Sequence, residues 1–115
     1  MDKNTKKVSV LMCTHNSESN VAISIDSILQ QSYKNIEFLI IDDCSTDNTF
    51  EIIKEYSKNY QKIKVFRNKI NIGLTKSLNK LISMSNTKLI ARQDDDDISL
   101  PDRIKIQLKY LNKYN

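Results

Sequence analysis

The chain has 115 residues, of which 28% are charged and 39% hydrophobic, and its formal net charge is +4. These values are typical of one ordinary globular domain. No stretch is long and apolar enough to span a membrane, and residues 1–7 lack the apolar region of a signal peptide. Lysine is scattered along the chain, so a nucleic-acid partner is not indicated. A small polyanionic ligand, or association with an anionic lipid surface, fits the same charge balance.

The two cysteines, Cys13 and Cys44, lack the spacing of a disulfide framework and the partner histidines of a zinc site. Reduced thiols in a cytosolic protein fit this pattern best. We therefore expect the protein in the cytoplasm, and the inner face of the membrane is the alternative location.

Short apolar runs alternate with amphipathic segments in the order β-α-β-α-β-α-β-α. The predicted strands lie at residues 8–13, 36–41, 63–66 and 88–91. Each predicted helix places its apolar residues on one face: Val21, Ile25, Ile28 and Leu29; Phe50, Ile53, Tyr56 and Tyr60; Leu74, Leu78, Leu81 and Ile82; Ile104, Leu108 and Leu111. The alternation predicts an α/β fold with a mostly parallel sheet and helices on both of its faces.

Polar residues before the predicted helices are candidates for capping them. Asn16 or Ser17 is expected to cap the first helix, and Ser45 or Thr46 the second. Pro101 is expected in the first turn of the fourth helix, where its missing N–H group is tolerated.

Polar segments follow the first, second and fourth strands, at residues 14–16, 42–47 and 94–97. In a parallel sheet the carboxyl ends of the strands share one edge, and ligands bind there where the strand order reverses. The chain has one glycine, Gly73, so it contains neither a GxGxxG fingerprint nor a Walker A loop. Phosphates bound at this edge would need a different partner.

Four consecutive aspartates at residues 94–97 repel one another, and Mg²⁺ or Mn²⁺ would offset their charge because both ions prefer carboxylate ligands. Asp96, helped by Asp94, is the candidate ligand, and the alternative is a solvated acidic turn. An EF-hand is excluded, because its fifth and twelfth positions would be Ile98 and Lys105.

Two further side chains at the expected edge have alternative roles. Asp43 can accept a hydrogen bond from a nucleobase N–H or a ribose hydroxyl, or it can cap the following helix. His15, the only histidine, can stack on a base or pack within its turn. No serine or cysteine pairs with it in a nucleophile motif, which argues against a role as general base.

Four motifs, in order, resemble those of family 2 glycosyltransferases. Residues 8–16, VSVLMCTHN, resemble the family pattern VSVIIPTYN, and residues 40–47, IIDDCSTD, are similar to VDDGSTD. Residues 71–74, NIGL, followed by Asn79, resemble the N-x-G loop and helix of that family. Residues 91–103, ARQDDDDISLPDR, are very close to ARMDADDISLPERL. The departures are Cys13 for proline, His15 for tyrosine, Cys44 for glycine and Asp95 in the middle of the DXD motif.

The resemblance implies a Rossmann-like GT-A fold that binds a nucleoside diphosphate sugar, with a UDP-sugar favoured, together with Mn²⁺ or Mg²⁺. The implied nucleotide-sugar-binding residues are Thr14, His15, Asn16, Asp43, Gly73, Asp94 and Asp95. The implied metal ligands in the DXD motif are Asp96 and Asp94. Within this set, Asp43 would meet the base and Gly73 would let the backbone approach the nucleotide.

Members of this family are considerably longer, and their second half supplies the acceptor site and the catalytic carboxylate. Residues 1–115 are therefore expected to be a single nucleotide-sugar-binding domain from a longer transferase that serves polysaccharide synthesis. The expected acceptor is a glycan or a lipid-linked glycan, no catalytic residue is assigned, and self-association into a homodimer is expected.

Three other classes of protein share some of these features. A non-catalytic nucleotide-sugar-binding module remains an alternative. A receiver domain needs an acidic pair after the first strand, where this chain has Thr14, His15 and Asn16. A phosphatase with a nucleophilic aspartate after its first strand fails for the same reason.

Overall fold

The computed structural model of the protein describes residues 6–114. Residues 1–5 and residue 115 lie outside this range. Most of residues 1–7, for which no signal peptide is expected, therefore lies outside the described residues. The strands are β1 (Val8–Thr14), β2 (Ile36–Asp42), β3 (Ile63–Arg67) and β4 (Leu89–Arg92). The helices are α1 (Val21–Leu29), α2 (Thr49–Asn59), α3 (Leu74–Met84) and α4 (Arg103–Tyr114). The predicted α/β fold is confirmed.

All four strands are parallel and follow the order β3-β2-β1-β4. The chain moves outward from β1 to β3 and then returns to place β4 on the other side of β1. The strand order therefore reverses between β1 and β4, where an α/β sheet opens a crevice for a ligand. The register pairs Thr14 with Asp42 and Leu11 with Arg92, so the loops that follow these three strands lie side by side.

The core has two layers because side chains alternate across the sheet. On one face, Val10, Met12 and Phe38 pack with α1, α2 and Ile104 of α4. On the other face, Leu11, Leu39 and Ile41 pack with Leu81 of α3. Strand β2 is buried at all seven positions, as its continuous apolar run predicts. Burying each large apolar side chain contributes about 1.5–3 kcal/mol, so the two layers fix the strand ends that carry the polar loops.

Two helices begin later than their polar residues predict, and the capping predictions are wrong. Helix α1 begins at Val21 and has no side-chain cap, whereas Asn16 and Ser17 lie in the loop before it. Helix α2 begins at Thr49, and Asp47 Oδ1 accepts the Thr49 N–H at 2.9 Å. The reason is tertiary: Asn16, Ser17, Ser45 and Thr46 make hydrogen bonds between loops instead.

Pro101 lies in the turn that precedes α4, two residues before the helix begins at Arg103. Some residues predicted to face inward lie at the margins of their helices and are 43–48% exposed; they are Tyr60, Leu74, Ile82 and Leu111. No helix in the described part of the chain is long and apolar enough to cross a membrane.

Candidate functional site

The loops that follow the strands meet at the carboxyl edge of the sheet. The Asp43 N–H donates to the Thr14 C=O at 2.8 Å, which joins the loops after β1 and β2. The Gln93 N–H donates to the Leu11 C=O at 3.0 Å, which joins the loop after β4 to β1. The polar segments that the sequence predicts at one edge are therefore adjacent in the structure.

Asp95 connects the loops on either side of the strand reversal. Thr14 is fully buried, and its Oγ1 donates to Asp95 Oδ2 at 2.9 Å. The His15 N–H donates to the same oxygen at 3.2 Å. This carboxylate is thus bonded to the loop after β1, away from the other three aspartates of its run.

The exposed ring of His15 lies between three loops. Its Nδ1 is 2.9 Å from the Asp43 C=O, and because a carbonyl only accepts, this nitrogen carries the proton. The amide nitrogens of Asn16 and Asn71 lie 3.3 and 3.5 Å from Nε2. The ring is therefore held by polar contacts at its edge.

Asn16 fastens the loop after β1 to the loop after β2. Its backbone has a φ of +48°, and its side-chain oxygen accepts the Thr46 N–H at 2.8 Å. Its own N–H donates to Ser45 Oγ at 2.9 Å. These bonds give Asn16, Ser45 and Thr46 a structural role between the two loops, which the sequence alone does not predict.

The carboxylate of Asp43 is 3% exposed and accepts three hydrogen bonds. Asn68 Nδ2 and the Ile72 N–H donate to Oδ1 at 3.0 and 2.8 Å, and the Gly73 N–H donates to Oδ2 at 2.9 Å. Burial by itself would raise the pKa of Asp43, but these bonds outweigh it and hold the pKa below its ordinary value. Asp43 is therefore ionised at neutral pH, and Oδ2 keeps a free lone pair.

The alternative in which Asp43 caps the next helix is wrong, because its bonds go to the loop before α3 while Asp47 bonds the start of α2. In that loop Gly73 has a φ of +91°, which favours glycine, and a Cβ added there would meet no heavy atom within 4 Å. The space beside the Gly73 backbone is open.

Residues 94–97, hereafter the aspartate turn, bring three carboxylates together. The Asp97 N–H donates to the Asp94 C=O at 3.1 Å, which folds the turn. Oxygens of Asp94, Asp96 and Asp97 lie within 4.8 Å of one another. Ligand oxygens around Mg²⁺ stand about 3–4 Å apart, so these three carboxylates are close enough together to be candidate ligands of one divalent cation.

Asp94 and Asp96 are thus adjacent, while Asp97 is a candidate ligand that sequence reasoning missed. The turn that folds residue 97 back over residue 94 is the feature that adds it, and four identical side chains gave no signal of which three would meet. Asp94 also accepts a hydrogen bond from Arg92 Nε at 2.9 Å, which offsets part of the negative charge.

Cys13, half-buried at the end of β1, offers no nucleophile to this site. Burial raises the pKa of its thiol above the ordinary value, and the negative charge of Asp43 acts in the same direction. The sulfur is therefore a protonated thiol at neutral pH, as expected of a packing residue.

Known proteins resemble this chain in sequence. A putative glycosyltransferase, EpsE of Bacillus subtilis, is 48% identical over 109 residues, which are 94% of this chain and 39% of that protein. The UDP-Glc:alpha-D-GlcNAc-diphosphoundecaprenol beta-1,3-glucosyltransferase WfgD of Escherichia coli is 33% identical over 94% of this chain and 42% of its own length. The chain therefore spans less than half of either relative.

Solved structures share the fold. S. aureus TarS 1-349 in complex with UDP-GlcNAc superimposes with a TM-score of 0.85 at 26% identity, over 94% of this chain and 32% of that one. The mannosyltransferase PcManGT from Pyrobaculum calidifontis, in complex with GDP-Man and Mn²⁺, has a TM-score of 0.79 at 19% identity, over 90% and 31%. The model of the family described as Glycosyl transferase family 2 matches residues 9–115, and with its motifs on the loops of one sheet edge, the chain belongs to this family.

Proposed function

We propose that this chain forms the donor site of a glycosyltransferase, binding a nucleoside diphosphate sugar together with Mn²⁺ or Mg²⁺. The observation that carries the proposal is the convergence of Asp94, Asp96 and Asp97 beside the strand reversal. A GT-A nucleotide-binding domain is accordingly the role proposed for residues 1–115 as a whole. The solvated acidic turn is the competing interpretation, and metal titration separates the two.

Each carboxylate of the aspartate turn has a distinct role in this proposal. Asp96 and Asp97 are exposed and would hold the cation, and Asp94 would share its charge between the cation and Arg92. A divalent cation in this place neutralises the pyrophosphate and the charge that develops on the leaving group. Asp95 holds Thr14 and the backbone of His15, so it would shape the nucleotide pocket from behind.

The nucleotide would lie along the loops after β1, β2 and β3. Asp43 has one free lone pair on Oδ2 for a base N–H or a ribose hydroxyl, and the open backbone at Gly73 would admit the nucleotide. The rings of uracil and guanine both carry an N–H, so Asp43 alone would not choose between them. The TarS complex with UDP-GlcNAc supports a UDP-sugar as the donor.

The acceptor would be a glycan or a lipid-linked glycan, which is supported by the diphosphoundecaprenol acceptor in the name of WfgD. We assign no catalytic base among the described residues. Outside the aspartate turn, the described carboxylates on these loops already accept hydrogen bonds from the protein; they are Glu18, Asp42, Asp43 and Asp47. We therefore expect this chain to bind the donor and to transfer sugar slowly, and this observation favours a binding module as the second candidate.

Calorimetric titration with UDP tests the proposal. UDP should bind more tightly with Mn²⁺ than with EDTA, and Asp96→Ala should remove most of that difference. Asp43→Ala should weaken UDP binding by about 1–3 kcal/mol, a factor of about 5–150, and keep the metal requirement. Glu55→Ala, an exposed carboxylate on α2, is the control and should change neither.

Equal affinity for UDP in Mn²⁺ and EDTA would contradict the metal site. If Asp43→Ala has a lower melting temperature but an unchanged affinity for UDP, then Asp43 only supports the loop before α3. Transfer of sugar from UDP-GlcNAc to a glycan acceptor, followed in the same samples, would distinguish the enzyme from the binding module.

A further inference from the structure

We propose that Gln93 is a positioning residue that holds the aspartate turn in a shape ready for a divalent cation, without touching the ion. The inference rests on the proposed function, since it concerns the same metal site. It assigns a role to a residue directly before the carboxylates, through the backbone of the turn.

Gln93 is 2% exposed, and its side-chain amide makes five hydrogen bonds, the longest from Nε2 to Ser27 Oγ at 3.4 Å. Its Nε2 donates to the Asp97 C=O at 2.8 Å and to Ser24 Oγ at 3.1 Å. Its Oε1 accepts from Ser99 Oγ at 2.6 Å and from Arg103 Nη1 at 2.9 Å. An amide has two donors and an acceptor oxygen with two lone pairs, so this side chain is fully used.

These bonds close the aspartate turn across its base. The backbone N–H of Gln93 is bonded to β1, while its side chain holds the carbonyl of Asp97 at the far end of the turn. Only residues 94–96 lie between these two anchor points. The buried side chain of Gln93 therefore acts with the Asp97 N–H bond to the Asp94 C=O to set the separation of the first and last carboxylates.

Two helices hold the same turn from behind. Ser24 of α1 donates to the Asp94 C=O at 2.8 Å, and Arg103 of α4 donates from Nη2 to the Arg92 C=O at 2.7 Å. The carbonyls of Arg92, Asp94 and Asp97 thus face the protein, which leaves the carboxylates of Asp96 and Asp97 on the exposed side. Both helices belong to the larger core layer, so this support is rigid.

Repulsion among the carboxylates explains why such support matters. Three carboxylates within 4.8 Å of one another repel, and without a cation the repulsion favours an open turn. A turn held closed by Gln93 would lose less conformational freedom when a cation binds. The family pattern ARMDADDISLPERL has methionine at the position of Gln93. It has alanine at the position of Asp95.

The test compares two buried glutamines. Gln93→Met roughly keeps the volume and removes the five side-chain bonds, and methionine at this position is compatible with the family pattern. Gln31→Met is the matched control: Gln31 is fully buried and bonds Leu100, Ser27 and Ile104, but no carbonyl of residues 92–97. Binding of Mn²⁺ alone is measured from the electron paramagnetic resonance signal of the free ion, with melting temperatures recorded alongside.

We expect both variants to lower the melting temperature and only Gln93→Met to weaken Mn²⁺ binding, by about 10–100-fold. Ser24→Ala, which removes the bond to Asp94 from the other side, should weaken it by a smaller factor and serves if Gln93→Met does not fold. Unchanged Mn²⁺ affinity in the folded variants, or no binding of Mn²⁺ alone by the wild type, would overturn the inference. In either case Mn²⁺-dependent UDP binding by the wild type would leave the proposed function standing, whereas its absence would remove both.

Discussion

Cys44 has a φ of +60°, in the left-handed region that costs a residue with a side chain about 1–2 kcal/mol. The turn that requires this conformation lets Asp42 accept both the N–H and the Oγ–H of Ser45, at 2.9 and 2.5 Å. Cys44 Sγ also lies 3.5 Å from the Lys69 C=O. The glycine that the family pattern VDDGSTD has here would adopt the same turn without strain, so Cys44 forms this turn at some cost in stability.

Cys44→Gly should therefore stabilise the protein. Removing the strain should raise the free energy of unfolding by about 1–2 kcal/mol. The greater freedom of glycine in the unfolded chain should lower it by about 0.5–1 kcal/mol, so the net increase is about 1 kcal/mol. Urea unfolding measures the change, and Cys44→Ala, which keeps the strain, should show no gain. A less stable Cys44→Gly variant would mean that the sulfur contact with Lys69 outweighs the strain.

At the scale of single elements, α3 packs on the sheet through Leu81, with Leu78 and Met84 partly buried beside it. Leu81 is the fully buried apolar residue of this helix and packs on Leu11, Leu39 and Ile41. The helix begins directly after Gly73, whose N–H bonds Asp43, and its Ser77 Oγ accepts from Asn68 Nδ2 at 2.9 Å. Packing at Leu81 thus keeps in place the loop that surrounds Asp43.

Leu81→Ala should lower the free energy of unfolding by about 2–5 kcal/mol, because it removes a large buried side chain and leaves a cavity. Ile82→Ala is the matched control on the next residue: Ile82 is 48% exposed, and we expect a change within about 0.5 kcal/mol. Urea denaturation of both variants gives the comparison. Equal losses would show that α3 is held by contacts other than the one at Leu81.

The elements could be predicted from the sequence because burial leaves a pattern along the chain. Strand β2 is mostly apolar, with Phe38–Ile41 as a continuous run, since helices cover both of its faces. Val21, Ile25 and Ile28 recur at helical spacing because one face of α1 is buried. The polar loops could be placed at one edge because each directly follows a strand.

The long-range hydrogen bonds could not be predicted. Nothing in a run of four aspartates shows that Asp95 bonds Thr14 while the other three meet, because the choice depends on the approach of β1 to β4. Asn16 and Ser45 have the composition of helix caps, yet they bond each other's loops. In the sequence Gln93 is an ordinary polar residue, and its role depends on its contacts with the two helices that pack around it.

At the scale of the whole molecule, the sheet ends in β4, which pairs with β1 alone within the described part of the chain. A groove of about 350 Å³ runs between β4 and α4, lined by Leu89, Ile90 and Leu108 among others. Ile90 and Leu111, which line it, are 45% and 44% exposed. An unpaired strand edge next to apolar side chains is a surface on which a second strand can add.

We expect this 115-residue chain to associate with a second copy along β4, in a concentration-dependent way. Strand addition can form backbone hydrogen bonds along the edge of β4, apart from the Arg92 C=O that Arg103 already bonds, and apposed apolar side chains leave water. Each copy carries a net charge of +4, so salt should screen their repulsion and strengthen the dimer. Light scattering should show the mass rising toward twice 13.4 kDa with concentration.

Ile90→Lys should abolish the rise, whereas Ile23→Lys, at an apolar position 55% exposed on α1, should leave it unchanged. A monomer at all concentrations and salt strengths, or equal effects of the two lysine variants, would show that β4 does not pair with a second copy.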